Sequence, residues 1–152
     1  MKKHTTQIRN INQIEKIIQD ATVGVLCIHL DNEKLMQMSC NFVYLDKNIY
    51  TFFDSTDENF ENVKYGSAGS FTVFKSEKVN PISQNITYRL SNITINGEVK
   101  DVDDAKLIDQ VKELYRLKYS RSEKTDDYEI SENLKPIILD SQEIKSVIEE
   151  GI

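Results

Sequence analysis

Met38-Ser39-Cys40-Asn41-Phe42-Val43-Tyr44-Leu45, then Asp46-Lys47-Asn48, then Ile49-Tyr50-Thr51-Phe52-Phe53, is the stretch that decides the fold. Runs of bulky and β-branched residues on both sides of three turn-formers read as a β-hairpin. Next comes Asp54-Ser55-Thr56-Asp57-Glu58-Asn59-Phe60-Glu61-Asn62-Val63-Lys64, where Ser55 and Glu58 have capping-box spacing. A short helix is expected there, with Phe60 and Val63 inward and Gly66 closing it. A helix start at the end of a strand presents free backbone N–H groups and is a natural anion site. Ser67 to Phe74 follows as a strand alternating small and bulky residues, with Ser70 and Thr72 on one face.

Toward the N-terminus, Ile8, Ile11, Ile14, Ile17 and Ile18 recur at helical spacing and predict an amphipathic helix from about Gln7 to Gln19. Thr22 to His29 is a nearly continuous apolar strand, and Asp31-Asn32-Glu33-Lys34 turns the chain into a strand from Leu35 to Leu45. Toward the C-terminus, Ser76 to Asn85, with Pro81, reads as a loop. Ile86 to Val102 reads as a long strand with a bend or bulge at Gly97. Asp101 or Asp103 caps a helix whose stripe Ala105, Ile108, Val111, Leu114, Tyr115 and Leu117 runs to about Tyr119. Ser120 to Asn133 is charged and aperiodic, a surface loop. Pro136 to Leu139 is a short strand, and Ser141 to Glu150 reads as a final helix with Ile144, Val147 and Ile148 inward. Short turns between successive strands favour a closed or partly closed antiparallel barrel over a parallel sheet. The expected class is mainly β (α+β), one domain over residues 1–152.

With 39% hydrophobic and 29% charged residues in 152, the chain can bury a core without disulfides. A net charge of −6 and no basic patch argue against nucleic-acid binding. Cys27 and Cys40 lie in apolar runs and read as buried reduced thiols, which points to the cytoplasm. The longest apolar run, Val23 to Ile28, is too short to cross a membrane, and the basic N-terminus is not followed by a signal-peptide pattern. No nucleotide glycine loop exists among five glycines, and neither His4 nor His29 has a metal-ligand neighbour at useful spacing, so no metal site is expected. Cys40 lacks a paired histidine and reads as a packed thiol, and no residue stands out as catalytic. Tyr44, Tyr50, Phe52 and Phe53 read as packing residues, Phe52 also being placed to stack on a ring ligand.

Asn41-Phe42-Val43-Tyr44, Ile49-Tyr50, Glu61-Asn62-Val63-Lys64, Ser70-Phe71-Thr72-Val73 and Ile93 to Val99 followed by Val102-Asp103-Asp104-Ala105-Lys106 fall in an order with a known likeness. Over roughly residues 20 to 148 the chain resembles the FMN-binding split-barrel superfamily of pyridoxamine 5′-phosphate oxidase-like proteins, particularly short bacterial members related to nitroimidazole-resistance proteins. The resemblance implies a six-stranded antiparallel split β-barrel with flanking helices, forming a homodimer with FMN in grooves at the subunit interface. It assigns cofactor binding to the strand Met38, Ser39, Cys40 and Asn41 and to Phe52, Phe53, Asp54, Ser55, Asn59 and Asn62. It implies an FMN-dependent oxidoreductase acting on a small molecule; the alternatives are a non-enzymatic dimeric binding module without flavin and a haem-handling relative. Asn59 stands where relatives carry a basic residue. Asp54, Asp57, Glu58 and Glu61 crowd the same segment, so a phosphate there needs Lys34, Lys64, Lys75 or Arg89 to offset them.

Overall fold

The structure, a computed structural model, describes residues 3–78, 88–120 and 130–151. The loop expected around Pro81 and the middle of the one expected between Ser120 and Asn133 lie outside the described residues. In chain order the elements are β1 (Lys3–Gln7), α1 (Ile11–Asp20), β2 (Gly24–His29), β3 (Leu35–Cys40), β4 (Val43–Leu45), β5 (Asn48–Asp54), β6 (Ala68–Glu77), β7 (Tyr88–Asp101), α2 (Ala105–Tyr119) and β8 (Leu134–Gly151). All described strand pairs are antiparallel, in the order β3-β2-β6-β7-β8-β5-β4, with β1 added to the far end of β8. The six strands of six or more residues, β2, β3, β5, β6, β7 and β8, form the expected split barrel, and α1 and α2 flank it.

The barrel interior follows from strand alternation. On β7, Ser91, Ile93, Ile95, Gly97 and Val99 are buried while the residues between them are half-exposed. They meet Leu26, Ile28, Phe71 and Val73 from β2 and β6, and α1 adds Ile14 and Ile18 to the same cluster. Asn10 caps α1, its side-chain oxygen accepting from the amides of Asn12 and Gln13. A second cluster forms outside the barrel, where Val111 and Tyr115 of α2 pack on Val43 and Tyr50 of the hairpin. The cap of α2 is Asp104, next to the expected Asp103. Gly97 sits at a register shift between β7 and β8, where a Cβ would lie 2.1 Å from the carbonyl oxygen of Asp140, so only glycine lets the backbones approach.

Four expectations are corrected. First, the hairpin loop is two residues rather than three: Asp46 and Lys47 take positive φ (50° and 69°), and Asn48 already pairs with Leu45. Those left-handed angles match the strand twist and suit Asp but strain Lys. Secondly, Leu35 to Leu45 is two strands, broken at Asn41-Phe42. Thirdly, the capped helix is only a 3₁₀ turn, Phe60–Asn62. Asp54 turns its carboxylate onto the amide and hydroxyl of Thr56, and Asp57 onto the amide of Asn59, so the side chains hold local turns instead of a helix cap. Val63 then bridges to Leu30 and the chain returns to the sheet. With no helix, the expected helix-terminus anion site is lost.

Fourthly, Ser141 to Glu150 is strand, part of an 18-residue β8 that pairs with all fourteen residues of β7. Ile144, Ser146 and Ile148 share the inward parity, and the buried Ser146 donates its hydroxyl to the carbonyl of Ile8 at 2.7 Å. A polar residue in the middle of the apolar parity hides the two-residue period and leaves Ile144, Val147 and Ile148 mimicking a helical one. The same pairing accounts for β1, which lies beside Val147 to Gly151 and moves the helix start from Gln7 to Ile11.

Candidate functional site

The sheet does not close. β3 pairs with β2 on one side only, and the second edge of β5 is covered by β4 only as far as Tyr50. Met38 to Cys40 and Thr51 to Asp54 therefore present strand edges with no strand partner among the described residues. Both edges line one groove of ≈310 Å³, together with Asn41, Asp57, Tyr115 and Leu134. This groove is the split in the barrel. Unpaired strand edges carry alternating N–H and C=O groups that want partners. Met38, Phe52, Phe53, Tyr115 and Leu134 give the apolar walls, with Phe52 held edge-on to Tyr115 at 5.2 Å and 90°.

One end of the groove is fixed by side chains. The carbonyl of Asn41 accepts from the Thr51 hydroxyl at 2.8 Å, and Thr51 is only 2% exposed. The Asn41 amide group donates to the carbonyl of Thr22 at 3.1 Å. The Phe42 N–H donates to the Tyr119 hydroxyl at 3.0 Å, and that hydroxyl has the carbonyls of Thr22 and Phe42 at 2.9 and 3.1 Å for its one proton. Lys118 adds an ammonium 3.1 Å from the Phe42 carbonyl and 3.6 Å above the Phe42 ring. The break between β3 and β4 is thus held by α2 and β5.

Charge in the groove is negative. Thr56, through its hydroxyl and its amide, holds the Asp54 carboxyl below its usual range. Asp57 is the second carboxylate, and no lysine or arginine lines the groove among the described residues. Burial raises the Cys40 thiol, against a smaller opposing effect from Thr51, so the thiol stays protonated and is a poor nucleophile. Burial alone lowers Lys118 to about 8. Two of the four basic side chains expected to offset the acids, Lys75 and Arg89, line another cavity. That cavity, ≈570 Å³ between α1, β6 and β7, holds Lys75 2.7 Å from Glu77 and Arg89 3.2 Å from Glu150.

Of the ten residues assigned from sequence, the structure brings Met38, Ser39, Cys40, Asn41, Phe52, Phe53 and Asp54 to the groove. Ser55, Asn59 and Asn62 lie outside its lining: the Ser55 amide bonds to Asn133, the Asn59 amide to Asp57, and the Asn62 side chain to the carbonyl of Glu58. Thr51, Asp57, Tyr115 and Leu134 line it and were not assigned. Thr51 carried a signal, as the lone non-aromatic polar residue within Ile49-Tyr50-Thr51-Phe52-Phe53; Tyr115 and Leu134 carried none, since only the fold brings them near. Cys27 and Cys40 are free and half-buried rather than fully buried. No group of three or more His, Cys, Asp or Glu able to hold a metal exists among the described residues, and no helix there is long and apolar enough to cross a membrane.

No family model and no curated protein matches the sequence. Solved structures do match. A protein described as a 5-nitroimidazole antibiotic resistance protein from Bacteroides thetaiotaomicron superposes with a TM-score of 0.80 at 16% identity, covering 99% of this chain and 90% of that one. An FAD-binding protein from Mycobacterium smegmatis gives 0.69 at 8% identity, covering 97% and 100%. A protein described as a pyridoxamine 5′-phosphate oxidase from Corynebacterium glutamicum gives 0.62 at 11%, covering 95% and 92%.

Proposed function

The fold is the split barrel of the pyridoxamine 5′-phosphate oxidase-like proteins, and on it we propose a flavin-binding protein that holds the flavin ring in the split between β3 and β5. The observation that carries this reading is the pair of unpartnered strand edges facing one groove between aromatic walls. A flavin ring needs an apolar wall on its faces and amide partners on its edge. Met38 to Asn41 supply main-chain groups, and Phe52, Phe53 and Tyr115 supply the walls. Similarity to structures described as FAD-binding and as a pyridoxamine phosphate oxidase supports the same choice.

When bound, a flavin supplies electron transfer at its ring, which suits an oxidoreductase acting on a small molecule. This chain's own residues orient the ring and shield it. The Cys40 thiol, raised by burial, adds no competing thiolate chemistry. Among the described residues no histidine lines the groove, which gives a haem reading no axial imidazole from them. The test is spectroscopic: purified protein titrated with flavin shows quenched flavin fluorescence and shifted visible bands, and a protein that does neither does not bind flavin.

The active unit in this proposal is a cytoplasmic homodimer. Support comes from the outer face of β2, β6 and β7. There Cys27, Ser70, Thr72, Thr94 and Asn96 are half-buried by their own neighbours, and neither core cluster covers them. Light scattering coupled to gel filtration should give twice the chain mass of 17.6 kDa. A mass equal to one chain removes the dimer while leaving the groove reading in place.

A second reading, a binding module without turnover, is favoured by the groove's two carboxylates and by its lining having no lysine or arginine among the described residues to grip a phosphate. Flavin binding with no oxidation of reduced nicotinamide nucleotides, with or without nitroaromatic acceptors, selects it.

A further inference from the structure

Within the flavin reading, on which this inference rests, we propose that the groove takes a flavin with an uncharged side chain, of the riboflavin class, and that Asp54 and Asp57 make it discriminate against the 5′-phosphate. The groove fits the two halves of FMN unequally. Its strand edges and aromatic walls suit the neutral ring, but its charged lining residues are both carboxylates. Among the described residues, neither carboxylate has a lysine or arginine partner: Asp54 accepts from the amide and hydroxyl of Thr56, and Asp57 accepts from the amide of Asn59.

Among the described residues, the basic side chains that could have reversed this are placed elsewhere. Lys75 and Arg89 line the other cavity and are paired there with Glu77 and Glu150. Asn59 is outside the groove lining, and its amide is already bonded to Asp57. Lys34, Lys64 and Lys135 do not line the groove either. The 3₁₀ turn Phe60–Asn62 is too short to offer an aligned set of free amides in place of a cation.

The size of the discrimination follows from Coulomb's law. At a separation of about 7 Å, one carboxylate weakens binding of a phosphate dianion about twofold at 0.15 M salt and about fivefold at 0.01 M. Two carboxylates give about fourfold and about twentyfold. Riboflavin has no charge to feel either.

The experiment measures quenching of riboflavin and FMN fluorescence by the whole protein at low and at physiological salt. Wild type is expected to bind riboflavin more tightly than FMN, by about twentyfold at 0.01 M salt and about fourfold at 0.15 M. The double variant Asp54→Asn, Asp57→Asn keeps the side-chain acceptors for Thr56 and Asn59 and should bind both flavins equally at either salt concentration. The salt series on wild type decides the matter even if a variant folds poorly. FMN binding as tight as riboflavin in low salt overturns the inference and leaves the flavin reading standing, whereas quenching of neither flavin removes both.

Discussion

Replacing Thr51 with valine tests whether the end of the groove is held as described. The two side chains are nearly isosteric, so packing at this 2% exposed position is retained while the hydroxyl is lost. The Asn41 carbonyl then loses its 2.8 Å donor in a part-buried setting. An unsatisfied acceptor of this kind costs about 1–2 kcal/mol, toward the lower part of the usual range because the open groove lets water reach it. For a chain of this size that lowers the thermal midpoint by roughly 3–6 °C. Urea unfolding followed by tyrosine emission is a suitable assay, since the chain has seven tyrosines and no tryptophan. The midpoint should fall with the slope unchanged. Thr51 also draws the Cys40 thiol down, so alkylation of Cys40 mapped by mass spectrometry should need a higher pH in the variant. A valine variant as stable as wild type, with the same alkylation profile, would show that the Asn41 carbonyl does not depend on Thr51.

Glycine positions give a paired comparison. Gly97→Ala pushes a methyl to 2.1 Å from the Asp140 carbonyl oxygen and should cost about 3 kcal/mol or more, whereas Gly66→Ala meets nothing closer than 3.9 Å but sits at φ 84° and should cost about 1 kcal/mol. Thermal midpoints in the reverse order would refute the bulge argument. Lys118 gives a pH dependence: its amine is at about 8 when folded and near its usual 10.5 when unfolded, so the unfolded chain binds more protons between those values. Stability therefore carries the full penalty of the buried charge below about 8 and regains it as pH rises toward 10.5, by roughly 1 kcal/mol after allowing for partial exposure. Cys40 and Tyr50, both raised by burial, act in the opposite sense, so the readout is the difference between wild type and Lys118→Met in urea midpoints at pH 7 and pH 10. A parallel pair of pH profiles would contradict the assignment. Ser146→Ala removes the hydroxyl donated to Ile8 and should cost about 1–2 kcal/mol, with faster amide exchange concentrated in β1 and the first turn of α1. Unchanged exchange there would show that β1 is held by its main-chain pairing alone.

What the sequence determined by itself was local. The hairpin around Asp46, the Gly97 bulge, the stripe of α2 and the alternation on β6 and β7 each rest on one period or one turn preference, and they held because neighbouring residues supply the evidence. That residues 38–41 and 52–54 share one groove was foreshadowed by spacing that resembles a known family. The tertiary structure decided the rest. It chose strand over helix for Ser141 to Glu150, because Ser146 could bond to Ile8 inside the barrel and two neighbouring strands waited on either side. It dissolved the expected helix after Asp54, because Val63 had a place opposite Leu30 in the sheet. It alone brought Tyr115 and Leu134 to face Met38, and it placed Lys75 and Arg89 in a different cavity. Local chemistry fixes what a segment prefers, but which strand edges stay unpaired, and which charges face them, depends on residues far apart in the chain and so is settled only when the barrel forms.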